Sequence, residues 1–153
     1  LVRQYGQNSI GVDVHDFGAD AMIVDDTSAL PFDTGEFDTV SFVASLGHIP
    51  NRKAVLREVY RLLGGDGTLL ITELSPWVGI IRHKLAWWDK DQNERGMKQG
   101  ELMGMSTQAL CDLVEEQGFE LVKRIRFILW LNNLYVFRRN TVPAQADKGA
   151  PTT

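Results

Sequence analysis

The sequence predicts an α/β fold built on a mostly parallel sheet that ends in a C-terminal antiparallel hairpin. Two observations carry this. Three short apolar runs, an amphipathic helix and a fourth apolar run succeed one another between residues 9 and 73, the order of crossover units in a parallel sheet. Near the end, two strand-like segments, 119–128 and 135–138, flank Asn132-Asn133, a pair that tolerates the left-handed backbone of a tight turn. A chain of 153 residues, 44% hydrophobic and 24% charged, has room for one core. One domain over residues 1–140 is expected, with a disordered tail over 141–153.

The elements follow in order. Residues 9–14 (SIGVDV) and 21–24 (AMIV) are short runs rich in β-branched residues, each ending in acids, and read as buried strands. Residues 37–45 (FDTVSFVAS), after the turn-forming Asp33-Thr34-Gly35, suit a strand covered on both faces. Pro50 and Asn51 open a helix, with Asn51 placed to cap free N–H groups and Val55, Val59 and Leu62 forming one apolar stripe. Gly64, Gly65 and Gly67 are expected to end that helix before a buried strand over 67–73. Ser75-Pro76 then signals a second helix, with Trp77, Ile81, Leu85 and Trp88 on one face. Residues 89–105 are polar, carry three glycines and lack any period, as in a long connection at an active-site lid. A last helix is capped by Ser106 or Thr107, turns Leu110, Leu113 and Val114 inward, and stops at Gly118. The small, polar, proline-containing tail buries too little to offset its ordering entropy.

Composition narrows the function. With 16 basic and 20 acidic residues, the chain has no basic surplus to suit a nucleic-acid partner. One cysteine, Cys111, rules out an intrachain disulfide and suits a reducing cytoplasm. No apolar run approaches the length that spans a bilayer, so no membrane partner is expected. His15 and His83 have no companions at metal-ligand spacing, and no metal site is expected.

Residues 24–73 carry a set of spaced features: Asp26 after a strand, Leu30-Pro31-Phe32, Phe37-Asp38-Thr39-Val40 leading to His48, Glu58 to Leu62 as E-x-x-R-L, and the glycines at 64, 65 and 67. Together they resemble the class I S-adenosylmethionine-dependent methyltransferases of the "type 11" kind. The resemblance covers roughly residues 9 to 75, and the C-terminal hairpin fits it. It implies a Rossmann-like sheet, S-adenosylmethionine as cofactor and methyl transfer to a small-molecule acceptor. No G-x-G-x-x-G precedes the strand ending in Asp13, which disfavours a nicotinamide enzyme.

Asp13, at the carboxyl end of a strand, lies where open α/β sheets bind ligands, and the resemblance makes it the ribose ligand. By the same resemblance Asp26 accepts from the adenine amino group with Thr27 beside it. Asp25 is the adjacent alternative, and a turn cap ahead of Ser28 is an equally good reading of Asp26. Ala44, Ser45 and Leu46 open the third strand into its loop, where backbone groups would border the sulfonium. His48 is the candidate general base, set against a capping or surface role. Glu73, Trp77 and Trp87 are candidate substrate contacts, the tryptophans by closing or stacking on the pocket; the alternatives are acceptance of backbone N–H groups from the Ser75 helix for Glu73 and ordinary packing for the helix the tryptophans share.

The family's first strand and glycine-rich loop should precede residue 9, and only eight residues do. The family places that strand between the one ending at Asp13 and the one over 37–45. Two unpaired edges result, and exposed edges recruit strands, so a homodimer is expected unless the two strands pair directly. The competing function class is a noncatalytic methyltransferase-like module that binds a protein partner or itself.

Overall fold

The computed structural model describes residues 9–16, 21–75 and 105–140. Its elements are β1 (Gly11–Asp13), β2 (Ala21–Ile23), β3 (Phe37–Val43), a 3₁₀ turn (Leu46–His48), α1 (Arg52–Leu62), β4 (Leu63–Leu74), α2 (Thr107–Glu115), β5 (Phe119–Phe127) and β6 (Asn132–Arg139). The predicted α/β class and the order of elements hold. Expectations for residues 1–8, 17–20, 76–104 and 141–153 lie outside the described residues: Trp77, Trp87 and Trp88 with their helix, His83, the long connection and the tail.

The strands form two sheets. β1 and β2 pair in parallel, while β3, β4, β6 and β5 form a four-stranded sheet in that order, parallel between β3 and β4 and antiparallel beyond. Among the described residues, β1 and β3 do not pair, so the alternative of direct pairing is not what the chain adopts.

The core lies on one face of the larger sheet. Leu69 and Ile71 of β4, Tyr135 and Phe137 of β6 and Phe119 of β5 meet Leu56 and Val59 of α1 and Leu110 and Val114 of α2. The period-2 burial of β4 and the 3.6-residue stripes of the two helices make this a two-layer packing. As expected, α1 buries Val55, Val59 and Leu62.

Several expectations are corrected. β3 is not covered on both faces: Thr39, Ser41 and Val43 are exposed, because α1 and α2 pack on the opposite face from Val43 and Leu74. β1 and β2 are not buried either, and Ile10, Val14, Met22 and Ile23 stay exposed beside a sheet that has two strands among the described residues. Asn51 makes no side-chain capping bond, since its amide is engaged by Asp26 instead. The glycines do not terminate α1, which passes at Leu63 straight into β4. They form a bulge, with Phe37 opposite Leu63 but Thr39 opposite Thr68. There a Cβ on Gly67 would lie 2.8 Å from the Leu63 Cβ, which excludes any side chain.

Ser106 caps α2 as predicted, its hydroxyl accepting from the Ala109 N–H at 3.1 Å. Gly118 ends that helical segment at φ +90°, with Tyr60 packed where a side chain would go. The hairpin turn is displaced from the predicted position. Asn132 and Asn133 are strand residues, and the turn falls at Ile128, Leu129 and Trp130, all with positive φ. Asn133 is fully buried, its Oδ1 accepting from Arg124 (2.8 and 3.1 Å) and its amide donating to the Ser75 Oγ at 2.9 Å. A side chain satisfied in this way serves the core better than it would serve a turn.

Candidate active site

The site stands on the carboxyl ends of the parallel strands, where the last residue of each strand and the loop after it project beyond the sheet. Asp13 ends β1, and its Oδ1 accepts the His15 N–H at 3.0 Å. Its backbone carbonyl accepts from Val24 N–H at 3.0 Å, which ties the exits of β1 and β2 together.

Asp26 follows β2. Its Oδ1 accepts from the Ser28 N–H (2.8 Å) and hydroxyl (2.7 Å), and these bonds, with a further one from the Asn51 side chain, outweigh desolvation and hold its carboxyl below the usual range. Thr27 sits in the turn between them. The turn-cap reading of Asp26 is therefore what the geometry contains. The Asn51 link also joins this turn to the start of α1.

The 26–36 segment is held down by two residues of α1. Glu58 Oε1 accepts the Leu30 N–H at 2.8 Å, and Arg61 donates to both Glu58 oxygens (2.6 and 2.9 Å), to Phe32 O (2.9 Å) and to Leu30 O (3.2 Å). This is why the Leu-Pro-Phe run and the E-x-x-R pair occur together: the (i, i+3) acid and base on one helix face clamp the backbone of the turn. The pairing was visible as a spacing, but its target was not, because a backbone N–H has no sequence signature.

At the end of β3, Ala44 takes a left-handed conformation (φ 51°), and its N–H donates to both the carbonyl and the hydroxyl of Thr72, each at 3.0 Å. Ser45 O accepts from His48 N–H to close the 3₁₀ turn. Leu46 sends its side chain into the core, and Arg52 donates to the carbonyls of Leu46 (3.1 Å) and Gly47 (2.7 Å). His48 is exposed at the end of the turn.

Glu73, one residue before the end of β4, is 9% exposed, and one of its oxygens, Oε1, has no hydrogen-bond partner among the described residues. Burial raises its pKa, against the opposing pull of the Gly47 N–H bond and the charges of His48 and Arg52.

The structure thus links Asp26 to Asn51, and Glu73 to the 44–48 loop. Asp13 is joined to the exit of β2 through the β1–β2 pair. Among the described residues there is no cluster of side chains able to hold a metal ion, and no helix long and apolar enough to cross a membrane.

Over residues 2–124 the sequence matches the family model described as a methyltransferase domain. The chain belongs to that methyltransferase family. The solved structures it is similar to share the fold. A Pyrococcus horikoshii protein is 18% identical with a TM-score of 0.66, covering 91% of this chain and 74% of its own. An S-adenosylmethionine-dependent methyltransferase of Thermotoga maritima, named as a possible histamine N-methyltransferase, is 17% identical with a TM-score of 0.59, covering 79% of this chain. The Burkholderia thailandensis 1,6-didemethyltoxoflavin-N1-methyltransferase, solved with its substrate and S-adenosylhomocysteine, is 17% identical with a TM-score of 0.60, covering 90% of this chain. This methyltransferase chain spans 65% of the Thermotoga chain and 64% of the Burkholderia one.

Proposed function

We propose that this methyltransferase uses S-adenosylmethionine to methylate a small organic molecule. One observation carries the reading: acids and a tight loop follow the carboxyl ends of β1, β2 and β3, as a crevice for adenosine requires. Asp13 would accept from the ribose hydroxyls, and Asp26, with the Thr27 N–H, would meet the adenine edge. The backbone of Ala44, Ser45 and Leu46 would border the sulfonium. These residues fit the adenosine half of the cofactor, whose chemical contribution is an activated methyl group. With that group supplied, the protein has chiefly to align the acceptor and exclude water. His48, in the loop, is the candidate general base, and Glu73, Trp77 and Trp87 remain candidate substrate contacts. The small-molecule preference draws support from the Burkholderia neighbour, and the lone buried Cys111 fits a reducing cytoplasm.

Isothermal titration with S-adenosylhomocysteine tests the reading. Binding that falls roughly tenfold or more in Asp13→Ala, the loss of a charge-assisted hydrogen bond, supports it. Unchanged affinity in Asp13→Ala removes the ribose assignment.

A second reading, a module that binds protein, draws on the edges of β1 and β3, which are unpaired among the described residues, and on the exposed Val43, Leu74, Ile125 and Phe127 of the larger sheet. A Haloferax volcanii neighbour, 13% identical with a TM-score of 0.59, was solved in complex with the Trm112 methyltransferase activator. No binding of S-adenosylhomocysteine by the chain would favour this reading.

A further inference from the structure

We propose that Glu73 takes the proton released by the methyl acceptor, and that the acceptor therefore carries hydrogen on its reacting nitrogen or oxygen. This rests on the methyl-transfer reading above.

The carboxyl lies at the end of the apolar stripe Leu69, Ile71, Glu73, on the face of β4 that builds the core. Placing an acid there is unfavourable unless its oxygens find donors. One donor is present, the Gly47 N–H. Oε1 has none among the described residues. The charged groups acting on the carboxyl are His48 from the 3₁₀ turn and Arg52 from α1. From β6 the residue paired with Glu73 is Asn133, which is neutral and whose amide is committed to Ser75 and Arg124. Among the described residues, the neighbours therefore leave one buried carboxyl oxygen without a donor.

Arg52, whose charge acts on the carboxyl, also lines an open groove of about 620 Å³ with Pro50, Arg57, Met105, Ala109 and Leu113. Burial dominates the balance on the carboxyl and shifts its titration toward neutral pH, the direction that suits a proton acceptor.

In the step assigned to it, the acceptor's lone pair forms the bond to the methyl carbon. The carbon–sulfur bond breaks with its electron pair staying on sulfur as a thioether, and the proton of the acceptor N–H or O–H passes to Glu73 Oε1. An acceptor without that hydrogen leaves Oε1 unpaired and is rejected.

The test uses the full chain carrying ¹³C-carboxyl glutamate, with and without S-adenosylhomocysteine, and two matched probe pairs: phenol with anisole, and aniline with N,N-dimethylaniline. The expected result is that phenol and aniline bind about tenfold more tightly than their methylated partners and move the Glu73 carboxyl resonance. Glu73→Gln keeps an oxygen for the Gly47 N–H but cannot take a proton. It is expected to fold, to keep its S-adenosylhomocysteine affinity and to lose the preference within each pair. Equal binding within the pairs, a preference that survives in Glu73→Gln, or no binding by any probe overturns the proposal. Failure of S-adenosylhomocysteine to bind counts instead against the methyl-transfer reading, and the arm run without it still reports on Glu73.

Discussion

Removing the Glu58 carboxylate should loosen the turn that carries Asp26. Glu58 is 9% exposed and accepts three hydrogen bonds, one from the Leu30 N–H and two from Arg61. Glu58→Ala leaves the Leu30 donor without its charged partner, a loss of about 1.5 to 3 kcal/mol. The Arg61 end adds little, because the side chain of Arg61 is 35% exposed and recovers water. A loss of about 1.5 to 3 kcal/mol follows, or a melting temperature lower by roughly 4 to 10 °C for a domain of this size. The pH dependence fixes the cause. The Arg61 hydrogen bonds outweigh desolvation and hold the Glu58 pKa below its ordinary value of 4.5, so its stabilisation is present above that pH. It is lost as pH falls through the lowered folded-state value. Melting curves by circular dichroism between pH 7 and pH 3 should therefore show parent and Glu58→Ala far apart at neutrality and converging in acid. A difference below about 0.5 kcal/mol at pH 7, or one that does not shrink in acid, refutes the clamp.

Glu73 should behave in the opposite sense. Its folded-state pKa is raised, so its contribution is fully present below about 4.5 and lost as pH rises through the folded value. Glu73→Gln should then gain stability relative to the parent as pH rises, and a gap that narrows instead contradicts the burial argument. Asn133→Ala strands the Ser75 hydroxyl and the Arg124 guanidinium beside a sealed core and should cost about 2 kcal/mol or more in urea unfolding. Gly118→Ala forces a Cβ to 3.0 Å from the Tyr60 ring at φ +90° and should cost about 1 to 3 kcal/mol, with neutrality in thermal melts as the contrary result. The edges of β1 and β3, unpaired among the described residues, predict a homodimer by light scattering after size exclusion, and a well-folded monomer at micromolar concentration would argue against it.

What could be read from the sequence was what depends on local pattern. The stripe of α1, the Ser106 cap, the Gly118 stop and the order of strands each follow from residue type and spacing, and each is present. What could not be read depends on partners distant in the chain. Asn51 looks like a cap until Asp26, 25 residues earlier, is found to engage its amide. Asn133 looks like a turn residue until Arg124 and Ser75 are placed around it. The burial of β1, β2 and β3 was overestimated because an apolar run shows that a strand has a face to hide and does not show that a second layer hides it. The candidate site divides in the same way. The acids at strand ends were identifiable by position, whereas the Glu58–Arg61 clamp and the Gly47 bond to Glu73 act through backbone groups that every residue has.

The end of β4 organises more of the site than any single ligand candidate does. Among the described residues, the non-glycine positions with positive φ are Ala44, Ile128, Leu129 and Trp130. All four flank the exit of β4: Ala44 is bonded to Thr72, while the hairpin turn is bonded to Ser75 through Leu131 O at 2.8 Å and Trp130 O at 2.6 Å. Left-handed backbone at residues with side chains is unfavourable, by about 1 kcal/mol or more each, and persists only where the surroundings over-determine it. Here the over-determination is explicit. Thr72 offers Ala44 both a carbonyl and a hydroxyl, and Ser75 is itself oriented by the buried Asn133. Between them stands Glu73, with its open oxygen. Four consecutive residues, Thr72 to Ser75, therefore hold the 44–48 loop on one flank and an exposed apolar turn on the other, with a buried carboxyl between the two. An arrangement that accepts backbone strain on both sides of one strand end serves the geometry of that end, where Glu73 Oε1 has no hydrogen-bond partner among the described residues.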